Sequence, residues 1–273
     1  MGVDFPAEYG GAGAGMVSLA ILLEELARVD ASTAIIPGDH DLGSQPIMLA
    51  GSKELKDRFM PKLSTGEYLS TFALTETSGG SDVAGFTCRA ERKGSEYIVN
   101  GNKTFITDGG VADVCTTYVI TDPEKGAYKG ASVLALPAKG TPGFSVGKHE
   151  IKVGARASDT VEMIFNDMHV PVESLVGVEG QGFAIMMKTL DFTRPAVAAI
   201  GLGLAQGAID ECIPYAKERV VFGLPIIQHE GLAFKLADMV TETEAARWLL
   251  YKACAILQEC PKDMSRLTPE QIR

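Results

Sequence analysis

Two short segments carry the residue types best suited to chemistry: Phe72-Ala-Leu-Thr-Glu-Thr-Ser-Gly-Gly-Ser-Asp82 and Asn100-Gly-Asn-Lys-Thr-Phe-Ile-Thr-Asp-Gly-Gly110. Each runs from β-favouring residues into a turn rich in Gly, Ser, Thr and Asp, where backbone N–H groups are exposed and can converge on an anion. Gly79 and Gly80 let main chain come close to a pyrophosphate, Ser81 and Thr75 offer hydroxyls, and Phe105 offers an aromatic wall for a planar ring. Taken singly, either segment also reads as a surface turn closing a β-hairpin. As a pair they read as a flavin site.

The elements around them fall into three blocks. Residues 1–70 read as helical: Leu19, Leu22, Leu23 and Leu26 form an apolar stripe at i, i+3, i+4, i+7, and a second helix is expected from Lys53 to Phe59, capped by Gly51-Ser52 and ended before Pro61. Residues 71–175 read as short strands. Glu96–Val99 and Thr104–Thr107 flank Asn100-Gly101, a pair that predicts a type I′ hairpin, and further runs start at Val114, Ala131, Phe144 and Val161. Residues 176–273 return to helix, with Gly182–Leu190 apolar, Pro195 opening a new helix, Pro214 kinking it, and a long amphipathic segment from His229 to Cys260. Pro261 should stop that segment, and Thr268-Pro269 reads as the cap of another helix. The fold class expected is α+β, with a central antiparallel, barrel-like β-domain between helical segments. The glycines from Gly10 to Gly15 do not mark a dinucleotide fold, because no buried parallel strand precedes them.

Composition narrows the partners. Thirty-five acidic against 25 basic residues give a net charge of -10, which opposes a nucleic-acid partner. The five cysteines show no C-x-x-C spacing and read as ordinary thiols in a reducing compartment, and the four histidines have no metal-ligand spacing, so no metal is expected. No apolar run of membrane-spanning length is expected, and Asp4 and Glu8 stand where a signal peptide would be basic and then apolar.

At its motifs the chain resembles the acyl-CoA dehydrogenase family. Thr75-Glu76 through Gly80-Ser81-Asp82 is similar to that family's Thr-Glu-Pro-x-x-Gly-Ser-Asp signature, and Phe105-Ile-Thr-Asp-Gly109 to its Trp/Phe-Ile-Thr-Asn-Gly. Arg156-Ala-Ser-Asp-Thr160, Asp191-Phe-Thr-Arg194 and Glu218-Arg-Val-Val-Phe-Gly-Leu-Pro225 follow in family order, and Gly2–Gly11 resembles the loop after the family's first helices. The resemblance thus covers essentially the whole chain, apparently without the family's N-terminal helices and its C-terminal helices.

The resemblance implies FAD as cofactor, with Phe72, Leu74 and Thr75 along the flavin, Ser81 serving both its phosphate and the acyl-CoA, Phe105 against the ring and Thr107 near its reactive nitrogen. It also implies substrate contacts from Asp191 and Arg194, although the two could simply form a surface ion pair worth a few tenths of a kcal/mol. Arg219 and Phe222 would reach the flavin of a neighbouring subunit, so a homo-oligomer, a dimer of dimers, is expected. Three departures bear on this: Thr77-Ser78 replace Pro and a small residue, Asp108 replaces the usual Asn, and Glu230 stands where Gln is common. The two acidic exchanges should weaken contacts to an anionic cofactor unless the carboxylates turn away or are protonated.

The function so implied is oxidation of a short- or medium-chain acyl-CoA to the trans-2-enoyl-CoA, with electrons passed to an electron-transfer flavoprotein. The matching compartment is the cytoplasm of a bacterium or the mitochondrial matrix. The family's base is a Glu that no residue here matches. Glu76, Glu150, Glu179 and Glu242 are available carboxylates, and none is assigned. A non-catalytic partial chain, one subunit of a split enzyme, and an enoyl-CoA reductase remain alternatives.

Overall fold

A computed structural model describes residues 1–260. The chain opens with three helices, α1 (Gly15–Val29), α2 (Ala31–Ala50) and α3 (Lys53–Thr65). Asp30 starts α2 by accepting from the amides of Ser32 and Thr33 at 3.3 and 2.8 Å, and Ser52 starts α3 by accepting from Leu55 N at 3.1 Å. Pro37 and Pro46 lie inside α2, which masked its periodicity in the sequence. Pro61 likewise lies inside α3 rather than ending it, and the helix continues to Thr65. His40 joins this block to the sheet. Its Nε2 sits 2.9 Å from the Leu63 carbonyl and its Nδ1 accepts from Ser70 N at 3.2 Å, and burial pushes its pKa down to about 4.

Eight strands then form one sheet: β1 (Ser70–Ala73), β2 (Arg89–Lys93), β3 (Glu96–Thr107), β4 (Val114–Ile120), β5 (Ala131–Pro137), β6 (Phe144–His149), β7 (Thr160–Pro171) and β8 (Leu175–Val176), in the order β6-β7-β3-β2-β4-β5-β8 with β1 on β4. A short helix, α4 (Gly126–Gly130), precedes β5. The sheet is antiparallel except where β1 and β2 both pair parallel to β4. Those two strands share one edge, β1 along Val114–Thr117 and β2 at Ile120. The segment 74–88 leaves the sheet through the gap between them.

The Asn100-Gly101 hairpin is not formed. Glu96–Thr107 is one continuous strand, with register shifts against β7 at Val99/Gly101 and Lys103/Ile106. Gly101 takes φ 135°, and the residue entering β2 lies so close that a Cβ there would sit 2.8 Å from Cys88 Cα. The real hairpin turns at Gly94-Ser95, between β2 and β3. One apolar core is enclosed by the curled sheet around Tyr97, Val99, Leu134 and Phe165, and a second joins the sheet to α2, α3 and the next helix through Ile47, Leu63, Phe72 and Ile185.

That next helix, α5 (Gly182–Glu218), runs 37 residues without a break, so Pro195 does not open a new helix and Pro214 lies within it. It is long and apolar enough to cross a membrane by length and composition, contrary to the sequence expectation. It packs instead against α1, α2 and β5, and against α6 (Glu230–Gln258). Between α5 and α6 a two-stranded hairpin, β9 (Val220–Val221) and β10 (Leu224–Pro225), turns at Phe222-Gly223 with φ 55° and 81°. Glu24 on α1 ties the helices together, accepting from Arg247 Nε at 2.8 Å and Tyr251 OH at 2.6 Å, while Arg247 also reaches Gln206 on α5 at 2.7 Å. Pro261 and the Thr268-Pro269 cap lie outside the described residues.

Candidate functional site

The sheet brings the two motif segments side by side. Thr104 N donates to the Thr75 carbonyl at 2.9 Å, Lys103 Nζ to the Leu74 carbonyl at 3.1 Å, and the Thr71 hydroxyl to the Thr107 carbonyl at 2.5 Å. These bonds fix the first segment against the second across the gap between β1 and β2. Phe72 and Leu74 are buried, whereas Thr75 and Thr107 are half-buried and Ser81 is exposed at the tip of its turn.

Phe105 sits at the second register shift of β3 with φ 58°, a left-handed backbone unusual for an aromatic residue. Its ring is 62% exposed while the residues on either side of it, Thr104 and Ile106, are buried. The bulge re-aims the ring outward from the sheet, as bulges beside functional sites do. Sequence reasoning found the aromatic residue but not the bulge that presents it. Gly101 within the strand and Asp108 just past its end are residue types that tolerate positive φ, the one local sign of an irregular strand.

The turn after Thr75 fits an anion. Glu76 and Gly79 exchange backbone hydrogen bonds at 3.1 and 3.0 Å, closing Thr77-Ser78 into a tight turn. No group among the described residues accepts from the amides of Gly80 or Ser81, which leaves both donors for a ligand. An exposed aromatic face, two half-buried threonines and these free amides suit a planar ring joined to a pyrophosphate.

Two carboxyls that sequence reasoning did not place together lie beside this segment. Asp108, φ 54°, is buried, and burial followed by the nearby Asp159 pushes its pKa up to about 6. Asp39 on α2 is raised well above the usual carboxylate range, first by burial and then by Asp108. One Asp39 oxygen has no partner among the described residues, and the carboxyl hydrogen-bonds with the Thr71 side chain. That contact works against the two raising influences and favours the ionised form, but burial and Asp108 outweigh it.

The remaining expected residues lie on the helical block. Arg194 on α5 is exposed and pairs with Asp191 at 2.7 Å, the surface ion pair weighed from the sequence. Arg219 ends α5, and Phe222, 93% exposed, caps the β9–β10 hairpin, which packs on α5. Glu230 is exposed at the start of α6. None of these is hydrogen-bonded to the 72–110 cluster within the chain.

Family descriptions match along the chain in order: the N-terminal domain of acyl-CoA dehydrogenase over residues 1–67, its middle domain over 71–168 and its C-terminal domain over 180–269. An acyl-CoA dehydrogenase of Bacillus subtilis is 44% identical over 93% of this chain and 66% of its own length. This chain belongs to the acyl-CoA dehydrogenase family. The cyclohex-1-ene-1-carbonyl-CoA dehydrogenase of Geobacter metallireducens is 45% identical over 94% of this chain and 67% of its own length. The chain therefore spans about two thirds of the length of the curated relatives it matches. The fold agrees. Butyryl-CoA dehydrogenase from Megasphaera elsdenii superposes with a TM-score of 0.92 at 41% identity, covering 94% of this chain and 68% of that one. A chain described as electron transferring flavoprotein of Acidaminococcus fermentans gives 0.92 at 42% identity, with 94% and 68% covered. An acyl-CoA dehydrogenase complexed with FAD from Bacillus anthracis gives 0.88 at 34%, covering 99% of this chain and 46% of that one.

Proposed function

We propose that this chain forms the FAD- and acyl-CoA-binding part of an acyl-CoA dehydrogenase that oxidises a short- or medium-chain acyl-CoA to the trans-2-enoyl-CoA. The observation that carries this reading is the three-bond junction of the two motif segments, which sets free turn amides and an outward-facing Phe105 on one sheet edge. The flavin would supply hydride acceptance. Phe72, Leu74 and Thr75 would line it, Gly80 and Ser81 amides would hold its phosphate, and Phe105 would shield the ring. Thr107 would orient it from the end of β3. Arg194 and Asp191 would meet the CoA portion, which requires their mutual ion pair to open. Arg219 and Phe222 would serve a second copy of the chain, giving a homo-oligomer. An electron-transfer flavoprotein would accept the electrons, in a bacterial cytoplasm or a mitochondrial matrix.

The test is reconstitution of the purified chain, release of its cofactor and chromatography, followed by visible spectra with butyryl-CoA and cyclohexenecarbonyl-CoA. FAD is expected, with a spectral change on adding one of the two thioesters. Recovery of FMN, or of no flavin under any reconstitution, would end this reading.

A further inference from the structure

Lys103 and Glu76 form an ion pair of 2.7 Å whose side chains are 0% and 2% exposed. Such a pair demands a reason, because two charges removed from water contribute little to stability over a well-packed apolar substitute. Both carboxylate oxygens are fully engaged. Glu76 Oε1 accepts from Lys103 Nζ and from Cys88 N at 3.1 Å, and Oε2 accepts from Thr87 N at 2.7 Å and Thr87 Oγ1 at 3.0 Å. Lys103 Nζ also donates to the Leu74 carbonyl at 3.1 Å and lies 4.9 Å from the Phe86 ring centroid. Burial works against the charge on Glu76, yet Lys103 and these amides hold its pKa below the ordinary value.

The placement of those bonds is what matters. Glu76 is the third residue of the 74–88 excursion between β1 and β2, and Thr87-Cys88 are its last. One carboxylate therefore ties both ends of the excursion together, and Lys103 ties that knot to β3 two residues before Phe105. A hydrophobic pair could fill the same volume but could not bond four donors at fixed distances.

We propose that the Glu76–Lys103 pair is a positioning device: it sets the separation between the anion-holding turn at Gly79–Ser81 and the ring-facing bulge at Phe105–Thr107, so that one flavin dinucleotide can engage both. This rests on the flavin reading above. The pair touches no ligand and acts through the loop it closes.

The experiment compares the full chain with Glu76→Gln, with Lys103→Met and with the apolar double variant Glu76→Leu/Lys103→Met. Hydrogen exchange of the flavin-free proteins is read at the Thr87 and Cys88 amides, and FAD dissociation constants are measured by fluorescence titration. Exchange at least tenfold faster at the loop amides and FAD affinity at least tenfold weaker are expected in Glu76→Gln. The double variant, free of a lone buried charge, should regain melting temperature without regaining affinity. Where a single variant does not fold, the double variant decides the matter. If it binds FAD within twofold of the parent chain, or if its loop amides exchange no faster, the pair is mere packing and the proposal falls. A parent chain that binds no FAD would instead refute the functional reading, while the exchange measurement, which needs no flavin, still decides whether the pair holds the loop.

Discussion

Replacing Asp108 by Asn isolates a single electrostatic penalty. Burial, with Asp159 next, raises the Asp108 pKa from the model-compound value of 3.8 to about 6, so the folded state holds this proton more tightly than the unfolded chain does. Stability from that proton is fully present below about pH 4, where both states are protonated, and is lost as pH rises through 6. At 1.36 kcal/mol for each pKa unit the loss by pH 8 is about 3 kcal/mol, an upper figure that nearby Lys152 already moderates. Asp108→Asn keeps the side-chain volume and tolerates the left-handed backbone at φ 54°. Its backbone bonds, from Val111 N and Ala112 N to the 108 carbonyl, are untouched. The variant should therefore match the parent only below about pH 4 and exceed it at pH 8, by several degrees in melting temperature for a chain of this size. Melting curves of both proteins at half-unit steps give the difference directly, and every other titrating group cancels in it to first order. Parallel curves, or a variant less stable at pH 8, would show that the Asp108 carboxyl is not paying for its burial.

Three further outcomes follow from the packing. Gly101→Ala should destabilise by about 2 kcal/mol or more in urea titrations, because it forces a Cβ to 2.8 Å from Cys88 Cα at φ 135°. His40, neutral in the fold with its pKa near 4, contributes stability that is complete above pH 6.5 and lost as pH falls toward 4; His40→Gln should flatten the acid limb of a melting-temperature profile, and an unchanged limb would contradict the assignment. Glu24→Ala strips Arg247 and Tyr251 of one acceptor each at the α1–α5–α6 junction and should cost about 3 kcal/mol, read as a lower urea midpoint, with no change there arguing that the junction is solvated.

The fold class was legible because period-2 and period-3.6 patterns change sharply near residues 70 and 176. What failed was local punctuation. Asn100-Gly101 is a strong hairpin signal, yet β7 pairs along nearly the whole of Glu96–Thr107 and overrides it, leaving a bulge instead of a turn. Pro61 and Pro195 read as boundaries in the sequence, but each lies in a helix whose packed faces outweigh one missing backbone bond. The apolar length of α5 is hidden in the sequence in the same way, since Pro195 divides it there but not in space. Of the site, the motifs gave the residue types. The shared β4 edge, which makes the 74–88 segment an excursion between two strands, depends on pairings such as Ser70 with Val114 and Arg89 with Ile120, far apart in sequence, and left no local trace. Asp39 was invisible for the same cause: it reaches Thr71 only through the packing of α2 on β1.

The same geometry bears on where a base could lie. A carboxylate that abstracts a weakly acidic proton must be accessible and must have spare proton affinity. Glu76 fails on both counts, being closed in by four donors with its pKa held down. Glu179 accepts from the Tyr97 hydroxyl and from Arg92, and Glu150 is paired with Lys148 at 2.7 Å. Glu242 lies on α6 along the groove beside Ala198 and Leu202 of α5, among the helices rather than at the sheet edge. The acids that the fold does bring to the Thr71–Thr107 bond are Asp39 and Asp108, and both are shifted in the direction of greater proton affinity. Asp39 is raised first by burial and then by the charge of Asp108, and Asp108 first by burial and then by Asp159. Asp108, just past the end of β3, thus meets the requirement of proton affinity but, being buried like Glu76, not that of access, and the glutamate of the phosphate turn serves to hold the backbone in place.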